Sequence, residues 1–146
     1  MLASDWLNTK DRFAPSAELF RSDRDFTVWA YTISHSQLLL RTRTPELNGN
    51  RSTRIDIVFK PVRTMKVRIE YSGLVIRCAT EVEAARIRAE NSGLHDDAHC
   101  LVLETGLDQD YVIAHAVGWE EDTESDRDPS KLAGFAPGSD PNRIFR

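Results

Sequence analysis

The sequence predicts a mainly β protein, with α+β as the neighbouring class: an antiparallel β-sandwich or partial barrel of about seven strands, one helix inserted before the last two. Three observations carry this. Short runs alternate apolar and polar residues, most clearly Arg54-Ile55-Asp56-Ile57-Val58-Phe59-Lys60. Gly, Pro, Asn and Ser separate those runs, as turns require. The period changes to a helical one once, after Thr80.

Composition sets the frame for these elements. The chain has 146 residues, 40% hydrophobic and 29% charged, with six Pro, seven Gly and two Cys. Collagen-like and disulfide-scaffold classes are excluded, and no apolar run approaches the roughly 20 residues of a membrane helix. A domain of this length hides roughly two thirds of its unfolded surface, so its core needs neither metal nor disulfide, and no cofactor is expected. No period of 20–50 residues recurs, which removes solenoids and propellers.

Residues 1–24 are mixed and are expected to form an N-terminal arm, with Pro15 opening a short turn that docks Leu19 and Phe20. A globular β-rich domain then spans 25–119. Its first strand, Asp25 to Ile33, carries Thr27, Trp29, Tyr31 and Ile33 on one alternation and Phe26, Val28, Ala30 and Thr32 on the other, the pattern of a strand covered on both faces. Ser34-His35-Ser36 connects it to Gln37–Arg41 as a hairpin, and Asn48-Gly49 marks the next loop.

In the following strand Ile55, Ile57 and Phe59 face a core while Arg54, Asp56 and Lys60 face water. Pro61 lacks a ladder donor and is expected to end it. Met65, Val67 and Ile69 then alternate with Lys66, Arg68 and Glu70 as a strand of their own, Tyr71-Ser72-Gly73 reads as a turn, and Leu74, Ile76 and Cys78 as the next strand.

Thr80-Glu81-Val82-Glu83 has the spacing of a capping box, and Asn91-Ser92-Gly93 supplies the stop of a helix of about three turns. Val82, Ala85, Arg86 and Ala89 share one stripe of it, too thin for a second core layer. Cys100–Thr105 and Tyr111–Trp119 complete the strands, the last with a bulky face and a small one of Val112, Ala114, Ala116 and Gly118. Residues 120–146 are expected to be an acidic, loosely ordered tail.

The formal charge is −4, which argues against bulk nucleic-acid binding. Its distribution is uneven: nine bases and three acids lie between Arg41 and Arg77, and six acids with Arg127 alone between Glu120 and Asp128. Basic sheet and acidic tail are of opposite sign and could attract each other.

Four groups of residues carry candidate chemistry. His95, His99 and Cys100 are of ligand type, but a closed zinc site needs about four ligands and no CxxC supplies the rest. Ser34-His35-Ser36, with Asp108 or Asp110 orienting His35, is the candidate for hydrolysis, although no GxSxG elbow accompanies it. Trp29, Tyr111, His115 and Trp119 could line a mostly apolar small-molecule pocket if the sheet curls. Arg54, Lys66 and Arg68 could meet an anionic partner from the wet face, but acids among them and the absence of aromatics beside them disfavour nucleic acid.

The reading that results is a binding or protein-interaction module without catalysis, regulatory or immunity-type, with another protein as partner and a homodimer as an option. Enzymatic use of His35 or His115 is the first alternative and nucleic-acid binding the second. The N-terminus lacks a basic region followed by an apolar stretch, so a cytoplasmic location without membrane contact is expected, where Cys78 and Cys100 stay reduced.

Overall fold

The computed structural model describes residues 3–6, 12–43, 53–94, 96–125, 127–130 and 132. Along the chain lie β1 (Ala3–Trp6), β2 (Glu18–Thr32), β3 (Gln37–Thr42), β4 (Arg54–Lys66), β5 (Glu70–Cys78), α1 (Glu81–Glu90), β6 (His99–Thr105) and β7 (Asp108–Asp122). Strands β2 to β7 form one antiparallel sheet in the order β7-β4-β3-β2-β5-β6, and β6 pairs β7 to close it into a ring of six. One curled sheet thus stands where the sequence left open two facing ones. Short β1 pairs with β7 at Trp6↔Gly118 to Ala3↔Glu121, beyond the stretch that β6 occupies. Register shifts in β2 and β4 keep the ring irregular.

The ring encloses a solid core. Phe26, Leu38, Leu40, Ile57, Phe59, Tyr71, Leu74, Ile76, Leu101, Leu103 and Val112 are buried there in one cluster. Full burial of such side chains contributes roughly 1.5–3 kcal/mol each, so the alternation seen in β4 and β5 is sufficient to fix which face turns inward.

Several boundaries differ from the sequence reading. Pro61 does not end its strand, because the next amide, Val62 N, donates to Ser36 O at 2.8 Å and β4 continues to Lys66. The run from Met65 to Glu70 is therefore the end of β4, a link over 67–69 and the first residue of β5, not a separate strand. Tyr71-Ser72-Gly73 lies inside β5; Gly73 has φ +75° opposite the register shift between Ser22 and Asp25, a bulge at which a side chain would be strained. Strand β2 begins at Glu18, so residues 18–24 belong to the sheet, and Phe13, Ala17, Leu19 and Phe20 pack on the core. The tail's first residues, Glu120 to Asp122, end β7.

Helix α1 starts as the capping box requires. Thr80 Oγ1 accepts from Glu83 N at 3.1 Å, and Glu83 Oε1 accepts from Thr80 N at 2.9 Å. Its buried face is not the expected stripe. Val82 is 80% exposed, whereas Ala84 and Ile87 pack on Val102, Cys100 and Ile113 at the outside of β6 and β7. No helix of the described residues is long and apolar enough to cross a membrane.

Candidate functional site

The outer face of β4, expected to be wet, is dry at Arg54 and Asp56, while Lys60 is half-buried. Arg54 and Asp56 are 0% exposed, and Arg41, Glu120 and Asp122 are buried with them. Arg41 donates to Asp56 through Nε at 2.7 Å and Nη2 at 3.0 Å, while Arg54 donates to Asp122 through Nε and Nη2, both at 3.0 Å. Two planar forks thus close on two carboxylates, the geometry that best offsets desolvation of charge. The pairing register places Arg41 beside Asp56, Asp56 beside Glu120 and Arg54 beside Asp122. Burial opposes ionisation of Asp122, but its bonds to Arg54 and to the Glu124 amide hold it below the usual carboxylate range.

What keeps water out is the acidic tail. Arg54 Nη1 donates to Ser125 O at 2.7 Å and Asp128 O at 2.8 Å, and Nη2 to Pro129 O at 3.4 Å. Beyond these, Leu132 packs with Ala30 on Leu39 and Val58. The described part of the tail is therefore a strap across β3 and β4, held at the Arg54 guanidinium.

A second cluster lies beside α1. Asp96 Oδ2 is 2.6 Å from Arg63 Nε and 3.4 Å from His115 Nε2. His99 opens β6 opposite Ala114 of β7, and its ring stacks on Phe13 with centroids 3.7 Å apart at 5°. Burial, then the neighbouring His115, push the His99 imidazole below its ordinary pKa. A cleft of about 210 Å3 runs between Phe13, Arg88, His99 and the two cysteines. Burial raises both thiols, which keeps them un-ionised and poorly nucleophilic. Cys78 belongs to the ring's interior and Cys100 to the cluster under α1, so they face opposite sides of the sheet. Among the described residues no group of three or more His, Cys, Asp or Glu could hold a metal. His95 lies outside the described residues.

The third feature is a strand that outruns its neighbour. Strand β2 pairs β3 as far as Thr32↔Gln37, but its pairing with β5 stops at Thr27↔Glu70, one bond short of the link that gives Ile69 O to Val28 N at 2.8 Å. From Trp29 to Thr32 the second edge has no strand beside it among the described residues. Trp29, Tyr31 and Ile33 are all exposed there, Ile33 to 87%, with Met65 exposed at the end of β4 and Ile69 on the connection that follows. The strand read as covered on both faces is thus uncovered at its end.

The residues singled out from sequence do not gather. Trp119 packs inside the ring on Phe20, with centroids 5.8 Å apart, while Trp29 lies outside it under Arg41, whose Cζ is 5.1 Å from the ring centre. Tyr111 bonds Asn91 and Glu90 of the helix end, and His115 faces Asp96. Of the basic trio, Arg54 is inaccessible and Arg68 is held by Asp110 and Asp108; Lys66 is exposed. Asp108 and Asp110, offered as orienters of His35, are those partners of Arg68. Sequence reasoning missed the edge of β2 and the Asp96 cluster; the alternation of Trp29, Tyr31 and Ile33 was the available signal for the first. No family model, no curated protein and no solved structure matches this chain.

Proposed function

We propose that this protein is a binding module that takes an extended segment of a partner protein along the free edge of β2. The carrying observation is that, among the described residues, Ala30–Thr32 of β2 pair with β3 alone, while Trp29, Tyr31 and the following Ile33 stand exposed. An unpaired edge offers main-chain donors and acceptors that an added strand satisfies, and large exposed apolar side chains supply the contact area. Soluble proteins usually shield such an edge with lysine, proline or a covering loop. A solid core and mutually paired charges give catalysis no comparable support.

Site-specific photo-crosslinking in cells that naturally make the chain tests this. A crosslinker at Ile33 should capture a polypeptide, and Tyr31→Lys, which places a charge on the edge at an exposed position, should abolish the adduct. A crosslinker at Val82, equally exposed on α1, should not capture it. No adduct from position 33, or an adduct that survives Tyr31→Lys or forms equally from position 82, overturns the proposal.

A further inference from the structure

The strap held by Arg54 belongs to a different face and leads to a separate conclusion. We propose that the outer face of β3 and β4 is a peptide-recognition groove that the chain's own strap occupies in cis, and that it accepts in trans a segment of the same chemistry. That chemistry is a bend whose carbonyls converge on a guanidinium, followed by a leucine.

The groove reads main chain more than side chain. With Asp122 fixed in β7, what the strap itself gives Arg54 is three backbone carbonyls, those of Ser125, Asp128 and Pro129. The side chains of Thr123, Glu124, Ser125, Arg127 and Pro129 stay exposed. The bend is kept by internal bonds, Ser125 N to Asp128 Oδ2 at 3.0 Å and Asp128 N to Ser125 O at 3.1 Å. Leu132 then meets Leu39, Val58 and Ala30. Opposite Val58 lies Gly118, from the small face of β7, which brings no side chain of its own.

The strap is also an imperfect occupant. Ser130 is 2% exposed and its hydroxyl has no hydrogen-bond partner among the described residues, so docking removes it from water without return. A segment with alanine at that place should fit better. The strap holds its seat because it is tethered, at an effective concentration on the order of millimolar for a short linker.

These statements predict changes of opposite sign in the full chain. The probe is a labelled synthetic peptide of residues 122–132, followed by fluorescence anisotropy, with a scrambled peptide as control. Leu132→Asp, which puts a carboxylate against Leu39 and Val58, should loosen the strap and raise peptide affinity at least roughly tenfold over the wild type. Ser130→Ala should lower it. Trypsin cleavage after exposed Arg127 should move in parallel, faster in the first variant and slower in the second, because it follows the open population. Should Leu132→Asp fail to fold, the Ser130→Ala pair of readouts decides alone. Equal binding of the scrambled peptide, no gain in folded Leu132→Asp, or unchanged cleavage and binding in Ser130→Ala overturns the proposal. Tyr31→Lys leaves all of these values unchanged, which separates this groove from the β2 edge.

Discussion

Arg54 and Asp122, 68 residues apart, close a bidentate pair between β4 and β7 in which neither side chain is more than 2% exposed. A pair this deeply buried is costly to break from one side, because the survivor keeps its charge without a partner. Asp122→Ala should therefore destabilise the protein by about 3–5 kcal/mol, read as a lowered urea midpoint. The double change Arg54→Met with Asp122→Leu should recover much of that loss, since it removes both charges. A double variant as unstable as the single one would show that the strap carbonyls, not the carboxylate, are what Arg54 chiefly serves.

The cap of α1 ties local sequence to the sheet. Glu83 completes the capping box and also accepts from Arg77 Nη1 and Nη2, each at 2.7 Å. The Arg77 hydrogen bonds outweigh burial and pull its carboxyl down to about 2, from 4.5. A depressed carboxylate stabilises the fold fully above its unfolded pKa and loses that contribution as pH falls through the folded one. Glu83→Gln should accordingly lower the Tm at pH 7 and flatten the decline between about pH 4.5 and 2. Melting curves of the two proteins that stay parallel down to pH 2 would contradict this.

On the helix itself the two large aliphatic residues should behave in opposite ways. Ile87 is 2% exposed under α1 while Val82 points to water. Ile87→Ala should cost about 2–5 kcal/mol, and Val82→Ser should stay within about 0.5 kcal/mol of the wild type. Denaturant titration checks both; a comparable loss at the two positions would mean that α1 rotates to bury Val82.

How far these features were legible depends on the range of the interaction that creates them. The capping box was legible because Thr80 and Glu83 find each other within one turn. The inward set of β4 was legible because period 2 is enforced by each residue's immediate neighbours. Its outward set was misread, since Arg54 and Asp56 look solvated until Asp122 and the strap are brought across from the other end of the chain. Period 2 misreads β2, because a register shift between Val28 and Ala30 leaves Val28 on the core and puts Ala30 on the outer face with Leu39, and it cannot say that the pairing with β5 stops at Thr27 and leaves Trp29, Tyr31 and Ile33 exposed. Ring closure through β6 and β7 had no local signal beyond the short turn at Gly106 and Leu107 that joins them.

Arg68 gives the last test, because charge alone marked it as a contact for an anion. Its Nε donates to Asp110 Oδ2 at 2.8 Å and its Nη2 to Asp110 Oδ1 at 3.1 Å, while Tyr71 Oη donates to the same carboxylate at 2.7 Å. Burial opposes the ionised Asp110, yet these bonds hold it below the usual carboxylate range; burial and the same bond raise the Tyr71 phenol. Tyr71 is 1% exposed with its ring in the core, so Tyr71→Phe removes the hydroxyl and almost no packing. A hydrogen bond to a charged acceptor contributes about 1.5–3 kcal/mol, and the loss should fall in that range at neutral pH. It should shrink as acid protonates Asp110, because the carboxylate is the form that Tyr71 stabilises. Urea unfolding of wild type and Tyr71→Phe at a series of pH values from 7 down to 2 measures both. A difference that grows in acid would mean that the phenol stabilises the protonated acid, and that Arg68 alone keeps Asp110 ionised.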